Sequence, residues 1–449
     1  MGIYLETGHS MTLLAGYNNV KGTINDGMDV EFALKLGKTL GKIYGSPVAV
    51  AMDGRTSNVM LKTALTSGIM SVGCDVLDLG AVPTPLIQYY MSQHPEVTGG
   101  VTITASFAGQ DINGFRVMKS GGVEDPIFDE HSLQEIQEAD IGCVPAAQVG
   151  EIFKVADFTE EYIDSILSQV DEELIRKAGL RICLDCRNNA VAPIASSLLM
   201  KLSVDCVTIG GDSSVLDDDR MVKLGHFVKS QELDMGVAIE MDADHCLFAS
   251  ADGNPVFGDK SFAIIAKSIL SERKGIVVVP INSTTLMEDV VHQNGGILMH
   301  CTVGPEMVVR KVKEQGAILG GDLFGCLVIP GHLYTCDAMM AMVKMIELVV
   351  KNGPLEEQVA PFPTYYISRG SISCPEERIP AVVEKFKASH EGEEKDMVDG
   401  IKIYRDDGWL LVRPSNVKDT IKLYAQANSK EEADKLIENT MAQLEIFID

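Results

Sequence analysis

Short apolar runs alternate with amphipathic stretches along most of this 449-residue chain, and this alternation most constrains its fold. PVAVAMD (47–53) has the composition of a strand, and the SNVMLKTALTSGIMSVG that follows has apolar residues at helical spacing. Continuously apolar strands separated by helices are typical of parallel or mixed sheets covered by helices, so the pattern predicts an α/β fold. Further predicted strands are CDVLDLG, TGGVTITAS (98–106), LRICLD (180–185), DCVTIGG (205–211), MGVAIEMD (235–242) and GIVVVPIN (275–282).

The chain divides into four segments, because its composition shifts near residues 150, 255 and 360. The strand and helix pattern around 47–80, 180–210 and 275–300 predicts three related α/β units that share no sequence. Between two of them, EEYIDSILSQVDEELIRKAG (160–179) is predicted to be helical.

The charge and the cysteines restrict where the chain works and what it binds. Its 64 acidic and 38 basic residues give a net charge of −26, which argues against a nucleic-acid or membrane partner. No signal peptide is apparent, and no apolar stretch reaches the roughly 20 residues of a membrane span. The ten Cys are scattered, so we expect reduced thiols in a cytoplasmic protein. Cys183 and Cys186 lie in a strand pattern, where buried thiols are favoured over a zinc site.

Polar residues follow several predicted strands, where α/β sheets bind their ligands. Ser106 ends TITAS, and this position suits a nucleophile, a phosphate ligand or simply a helix cap. Glu240, Asp242 and Asp244 alternate after an apolar strand, a spacing that in extended backbone points three carboxylates one way for a divalent cation. A solvated acidic loop is the alternative.

The C-terminal segment GWLLVRPSNVKDTIKLYAQ combines hydroxyls, an amide and basic groups in one loop between two predicted strands. Such groups suit a phosphate ligand. An ordinary β-turn is the alternative, and the local excess of positive charge in an acidic chain favours phosphate. The residues concerned are Arg413, Ser415, Asn416, Lys418, Thr420 and, on the second strand, Lys422.

The order of these motifs resembles that of the α-D-phosphohexomutase superfamily, which includes phosphoglucomutases, phosphomannomutases and phosphoglucosamine mutases. TITASFAGQDINGF stands where members carry T-A-S-H-N-P and then N-G, and EMDADH where they carry D-G-D-G-D-R. GGDLFGC (320–326) replaces a G-G-E-x-S-G-H loop, and DGIKIYRDDGWLLVRPSN is similar to the phosphate-binding segment. AGYNNVKGTIN (15–25) aligns with F-G-T-S-G-I-R-G.

The resemblance implies three related α/β domains with mixed sheets and a C-terminal α+β domain, arranged around a central cleft. The implied domains are 1–150 with a phosphoserine loop, 151–255 with a metal loop, 256–365 with a sugar loop and 366–449 with a phosphate-binding loop. The implied reaction interconverts hexose 1- and 6-phosphates, as in phosphomannomutases and phosphoglucomutases. It uses a phosphoserine and Mg²⁺, with a hexose 1,6-bisphosphate as activator.

The resemblance also assigns roles by position. Ser106, Arg116 and His245 are the implied catalytic residues, and Ser106 is the phosphoserine. The implied Mg²⁺ ligands are Ser106, Glu240, Asp242 and Asp244. The implied sugar-phosphate ligands are Lys21, Asp322, Arg413, Ser415, Asn416 and Lys422. A small-molecule sugar phosphate is the expected partner, and the expected state is a monomer or homodimer.

Departures from the family pattern are concentrated in the loops. His-Asn-Pro after the serine is replaced by 107–109, Phe-Ala-Gly, and the family's Lys is Arg116. A guanidinium keeps the charge but is a poor base. The Arg that ends the metal loop is His245, and the sugar loop has Phe324 and Cys326 for Ser and His. These changes leave two hypotheses: a divergent phosphohexomutase, or a catalytically impaired homologue that binds a sugar phosphate or a protein partner without turnover.

Overall fold

The computed structural model describes residues 13–15, 19–105, 108–128, 130–186, 190–210, 216–415 and 419–448. The chain is an α/β protein with mixed sheets, as predicted. It forms two compact units: unit 1 is Met1–Ser261 with Phe324–Gln358, and unit 2 is Phe262–Leu323 with Val359–Asp449. In the part of the chain that is described, no helix has the length and apolar character needed to cross a membrane.

The first sheet of unit 1 has the order β1-β2-β7-β6-β4-β5-β9, with β3 beside β2 and β8 beside β7. Its central strands β6, β4 and β5 are parallel, and β7 runs antiparallel to β6. The elements are β1 (Leu14–Ala15), β2 (Asn19–Ile24), β3 (Gly27–Met28), α1 (Val30–Tyr44), β4 (Val48–Met52), α2 (Asn58–Ser71), β5 (Val76–Ala81), α3 (Thr84–Gln93), β6 (Gly99–Ile103), β7 (Ile112–Lys119), β8 (Val123–Glu124), α4 (Glu130–Glu138) and β9 (Ile152–Lys154).

The second sheet of unit 1 has the order β11-β10-β12-β13-β14. β10 is parallel to β11 and β12, and β12 forms an antiparallel hairpin with β13. The elements are α5 (Thr159–Leu167), α6 (Glu172–Ala178), β10 (Arg181–Asp185), α7 (Ala192–Lys201), β11 (Asp205–Ile209), α8 (Asp218–Ser230), β12 (Met235–Ile239), β13 (Cys246–Ser250) and β14 (Pro255–Val256).

The helical stretch predicted at 160–179 is two helices, because Asp171 starts a new one. Its side chain accepts a hydrogen bond of 3.0 Å from the backbone N–H of Leu174 and thereby caps α6.

The sheet of residues 276–321 in unit 2 contains parallel strands in the order β16-β15-β17. The chain returns to unit 1 at Phe324, so β18, α12 and all but the last residue of α13 belong to unit 1. The elements are α9 (Gly258–Glu272), β15 (Ile276–Pro280), α10 (Thr285–Gln293), β16 (Ile297–Cys301), α11 (Pro305–Gln315), β17 (Leu319–Gly321), β18 (Leu327–Val328), α12 (Ala338–Asn352) and α13 (Leu355–Val359).

The last sheet, in unit 2, is antiparallel throughout, in the order β19-β23-β22-β21-β20. α15 packs on its edge strand β19 and on β23, and the apolar core lies between this sheet and the helices α14 and α15. The elements are β19 (Tyr366–Ser373), α14 (Ile379–Ser389), β20 (Lys395–Asp396), β21 (Ile401–Arg405), β22 (Gly408–Pro414), β23 (Thr420–Ala427) and α15 (Lys430–Ile448).

Candidate active site

The acidic loop, residues 240–245, is the tight connection of the hairpin between β12 and β13. The backbone N–H of Glu240 donates to the carbonyl of His245 over 3.0 Å and closes the turn. Ala243 has a φ of 60°, in the left-handed region. The acids therefore lie on a turn, and the extended geometry expected from their alternation does not apply to them.

Two helix starts in unit 1 hold the backbone of the acidic loop. The N–H of Thr84, the first residue of α3, donates to the carbonyl of Asp242 over 3.0 Å. The N–H of Ala338, the first residue of α12, donates to the carbonyl of Ala243 over 2.9 Å. These N–H groups have no partner within their own helices, so the loop satisfies them while they fix its shape.

Arg116, on β7, places its guanidinium between two carboxylates. Nη1 donates to Asp244 of the acidic loop and Nη2 donates to Glu124 of β8. All three residues are at most 8% exposed. Burial acts to lower the pKa of Arg116, but Asp244 and Glu124 together hold that pKa well above its ordinary value. Arg116 is therefore a fixed positive charge in contact with the loop.

Two further predicted residues, His245 and Lys21, interact with the side chains of this loop. Nδ1 of His245 is 3.0 Å from Oε2 of Glu240, and both side chains are buried. Burial lowers the pKa of Lys21, and the carboxylates of Asp242 and Glu240 counter this effect. The structure thus brings together Lys21, Arg116, Glu240, Asp242, Asp244 and His245.

The acidic loop partly fits a divalent cation. Oδ2 of Asp242 and Oδ1 of Asp244 are buried and have no hydrogen-bond partner in the described structure. Burial and the neighbouring Asp244 and Glu240 raise the pKa of Asp242 to about 8, and Arg116 and His245 counter this rise only in part. Yet no group of three His, Cys, Asp or Glu side chains among the described residues is arranged to hold a metal. Asp242 and Asp244 fit the role of ligands, whereas Glu240 is engaged by His245.

Ser106 lies outside the described residues, but the chain on both sides of it is held by a residue that sequence reasoning missed. Arg55 is 3% exposed, and its guanidinium donates to four backbone carbonyls. The acceptors are Ala105 at 2.6 Å, Ala108 at 3.1 Å, Gly109 at 2.7 Å and Ile112 at 3.2 Å. Arg55 therefore ties the end of β6 to the start of β7.

Asp53 supports this arrangement from the end of β4. Its carboxylate accepts from the backbone N–H of Arg55, from Asn58 Nδ2 at 2.6 Å and from Thr104 Oγ1 at 2.8 Å. Asn58 in turn accepts from Asn113 Nδ2, also at 2.6 Å. The predicted phosphoserine loop is thus anchored by a buried polar network in which each of these groups has a partner.

In unit 2, Arg413 is fixed by an acid that sequence reasoning also missed. Its Nε donates to Oδ2 of Asp399 over 2.6 Å, and the same oxygen accepts the backbone N–H of Val303 over 2.9 Å. Lys422 is its direct neighbour across β22 and β23. Ser415 begins the turn between these strands, where its N–H donates to the carbonyl of Thr420, and Asn416 lies outside the described residues.

Asp322 is buried directly after β17, at 4% exposure, and it belongs to unit 2. Its charge adds to the effect of burial in raising the pKa of the Cys301 thiol. The structure therefore places Asp322 near Cys301, at the end of β16.

The expectation that all cysteines are reduced is wrong for two of them. Cys326 and Cys336, ten residues apart, form a disulfide. Cys326 directly precedes β18, and the loop after β18 brings Cys336, just before α12, back beside it. Nothing in their spacing indicated the pair. Cys183 and Cys186 are buried and outside any disulfide, in agreement with the prediction of buried thiols.

Signals for the three missed residues exist only in part. Arg55 belongs to DGRTSN, a polar segment at the end of a predicted strand, which is the same signal that indicates Ser106 and the acidic loop. Glu124 ends the short strand β8 and Asp399 begins the segment DGIKIYRDDGWLLVRPSN, but only the fold shows which basic residue each one contacts.

Matches to known proteins agree with this arrangement of sheets and loops. Residues 12–140 match the family model of phosphoglucomutase/phosphomannomutase alpha/beta/alpha domain I, residues 257–365 match that of domain III, and residues 372–443 match that of the C-terminal domain. The chain belongs to the phosphoglucomutase/phosphomannomutase family, and hence to the α-D-phosphohexomutase superfamily of isomerase-type intramolecular phosphotransferases.

Individual relatives extend over nearly the whole chain. A phosphoglucomutase/phosphomannomutase of Thermococcus kodakarensis is 31% identical, over 97% of this chain and 99% of its own. A probable phosphoglucosamine mutase of Methanopyrus kandleri is 28% identical, over 94% of this chain and 95% of its own. The crystal structure of a phosphoglucomutase/phosphomannomutase family protein of Burkholderia thailandensis has the same fold, with a TM-score of 0.82 at 21% identity over 95% and 96% of the two chains.

Proposed function

We propose that this chain interconverts hexose 1- and 6-phosphates by phosphoryl transfer through Ser106. The observation that carries the proposal is the buried pair of carboxylate oxygens, on Asp242 and Asp244, that no described group satisfies. Buried charges need a partner, and a divalent cation beside a transferring phosphoryl group is a partner of the right charge.

Asp242 and Asp244 would hold Mg²⁺, and Ser106 would complete the site through its phosphate. When bound, Mg²⁺ neutralises charge on the phosphoryl group as it transfers. Arg55 contributes positioning, because it fixes the backbone on both sides of Ser106. Fixed flanking backbone lowers the entropic cost of positioning a nucleophile when substrate binds.

Arg116 contributes charge and moves no proton, since two carboxylates keep it protonated. His245 is the proposed base among the predicted catalytic residues. Glu240, 3.0 Å from its Nδ1, orients the ring, and an Nδ1–H that donates to Glu240 leaves Nε2 as the basic nitrogen.

The second unit would bind the phosphate that is not transferred. Arg413 is held by Asp399 in one orientation, which prepares its guanidinium for a phosphate, and Lys422 adds charge from the neighbouring strand. Ser415 and Asn416 would donate from the turn, and Asp322 would bind sugar hydroxyls. The division into four domains at 150, 255 and 365, the monomeric or homodimeric state and the cytoplasmic location stay predictions.

The sugar is tested directly with a panel of glucose, mannose and glucosamine phosphates, because the relatives carry all three kinds of name. Incubation with a hexose 1,6-bisphosphate and Mg²⁺ is expected to add one phosphoryl group to the chain, located on Ser106 by peptide mass spectrometry. Ser106→Ala is expected to stay unmodified and inactive, and Ser120→Ala serves as the matched serine control. A wild-type chain that is neither phosphorylated nor active on any of the three sugars contradicts the proposal.

The second candidate, a homologue that binds without turnover, is favoured by one observation. Arg116 stands at the position of the family's Lys and is engaged on both sides by carboxylates. This candidate predicts that glucose 6-phosphate raises the melting temperature of the wild type but not of Arg413→Ala, in the absence of any mutase activity.

A further inference from the structure

Asp244 of the acidic loop accepts a hydrogen bond from Arg116, which also donates to Glu124, a residue with no assigned role. The consequence of this pairing rests on the proposed metal site and concerns the affinity of that site for a divalent cation. Oδ2 of Asp244 accepts from Arg116, while Oδ1 of the same carboxylate has no hydrogen-bond partner in the described structure. One carboxylate thus has a guanidinium on one oxygen and an open position on the other.

We propose that Arg116 and the divalent cation compete for Asp244, and that Glu124 is the positioning residue that keeps Arg116 paired when the cation binds. The competition is electrostatic, because a guanidinium in contact with Asp244 repels a second cation on the same carboxylate. At the separations of neighbouring ligands this repulsion is large in a buried site.

Glu124 determines the outcome because it is the second counter-ion of Arg116. Its Oε1 accepts from Nη2 of the guanidinium, and the residue is only 8% exposed. When the cation takes Asp244, Arg116 keeps Glu124 and does not become an unpaired buried charge. Without that carboxylate, Arg116 must stay on Asp244, and the cation binds against an uncompensated positive charge.

The charge of the cluster supports this assignment. In the described part of unit 1, four carboxylates face Lys21 and Arg116, while Arg55, which also acts on Lys21, is balanced by Asp53. The formal excess is two negative charges, which one divalent cation cancels. Removal of the charge of Glu124 halves that excess. The carboxylates are Glu124, Glu240, Asp242 and Asp244.

The proposed competition predicts opposite changes in Mg²⁺ affinity for two substitutions. Arg116→Lys keeps the charge, but a single ammonium cannot span both carboxylates as the guanidinium fork does, so Lys can pair with Glu124 and release Asp244. Affinity is expected to tighten about threefold or more. Glu124→Gln is expected to weaken it about tenfold, the usual scale for a residue that supports a metal ligand. Glu124→Asp, which keeps the charge, is expected to restore part of the loss.

The test is calorimetric titration of the full-length chain with MgCl₂ alone, without substrate. Arg310→Lys and Glu314→Gln are matched controls, because this exposed pair in α11 makes the same kind of contact far along the chain. The controls are expected to bind as the wild type does. Damage to the fold weakens binding in every variant, so tightening by Arg116→Lys cannot arise from damage.

Each other outcome overturns the proposal in a distinguishable way. Equal affinity in the wild type, Arg116→Lys and Glu124→Gln shows that Arg116 does not compete, and it leaves the metal site intact. Weakening by both substitutions gives Arg116 a supporting role and refutes competition. No Mg²⁺ binding in any of the proteins refutes both the competition and the proposed metal site.

Discussion

Arg116 in unit 1 and Lys402 in unit 2 are both buried, but the groups that compensate their positive charges differ. In unit 1, Arg116 donates to two carboxylates. In unit 2, Lys402 on β21 is fully buried, with its Nζ 4.5 Å from the ring centre of Trp409 and 4.9 Å from that of Tyr404. Its nearest carboxylate, that of Glu288, is 3.8 Å away, and its ammonium makes no hydrogen bond in the described structure.

The difference shows in the charge that each group keeps. Two carboxylates hold the pKa of Arg116 above its ordinary value, whereas burial lowers the pKa of Lys402 to about 8 although Glu288 and Asp396 oppose the change. Aromatic faces attract a cation, but they replace its lost hydration less completely than hydrogen-bonded carboxylates do. The first cation is therefore bound firmly, and the second is close to losing its proton.

Of the substitutions considered, Arg116→Met is expected to change the free energy of unfolding most. It leaves Glu124 and Asp244 buried without their cation, and we expect a loss of about 3–5 kcal/mol in the free energy of unfolding. Circular dichroism in denaturant measures the loss for the whole chain. The fluorescence of Trp409, the chain's single tryptophan, follows unit 2 alone. Circular dichroism unchanged by Arg116→Met means that the ion pairs do not stabilise unit 1.

Arg55→Met tests a third buried cation, one held mostly by neutral acceptors. The substitution removes a side-chain donor from four carbonyls that flank the predicted phosphoserine position, and it removes the ion-pair partner of Asp53. We expect a loss of about 2–3 kcal/mol, less than for Arg116 because no pair of carboxylates is left unpaired. The same denaturant series measures it, and a loss larger than that of Arg116→Met reverses the predicted order.

Lys402→Met is expected to increase the free energy of unfolding near neutral pH, whereas the two arginine substitutions decrease it. It removes a poorly solvated charge and fills the same space, so unit 2 should gain about 1–2 kcal/mol at pH 7. Unfolding followed by Trp409 fluorescence measures the gain. A loss of stability at pH 7 means that the aromatic faces and Glu288 compensate the ammonium fully.

The same variant predicts a difference in pH dependence. The folded pKa of Lys402, about 8, lies below the ordinary pKa of 10.5 for an exposed lysine, so the unfolded chain binds more protons between these values. Wild-type stability relative to Lys402→Met should therefore rise with pH across this window, by up to about 1 kcal/mol per pH unit. The pKa of the neighbouring His300 is lowered from 6.5, so its titration lies below the window. Parallel pH profiles refute the lowered pKa of Lys402.

Glu314→Gln sets the baseline for an ion pair in water. Its partner Arg310 is about half exposed, and we expect the substitution to change stability by less than about 0.5 kcal/mol. Added salt should remove even that small effect. A change as large as that of Arg55→Met indicates that burial is not what separates these pairs.

Much of the fold follows from local pattern. The runs at 47–53, 235–242 and 275–282 contain the strands Val48–Met52, Met235–Ile239 and Ile276–Pro280. Apolar periodicity indicates such strands because it records which faces are buried. It missed the break at Asp171, where a cap rather than a change of periodicity ends the helical stretch.

The site was less predictable, because its contacts join distant parts of the chain. Arg116 and Asp244 are 128 residues apart, and Arg55 reaches carbonyls some 50 residues later. The family resemblance indicated which positions matter, but it gave Arg116 only as a replaced lysine and did not reveal Glu124. When one basic side chain replaces another, its hydrogen-bond and ion-pair partners change, and only the packed structure shows which residues these partners are.

The helix starts at Thr84 and Ala338 hold the acidic loop by its backbone, and this has a kinetic consequence. A loop tied at both carbonyls has little conformational freedom left to lose when a ligand arrives. Its carboxylates should therefore capture a cation without a slow rearrangement, and the observed rate should increase in proportion to the cation concentration. Any slow step in turnover then has to arise elsewhere in the molecule.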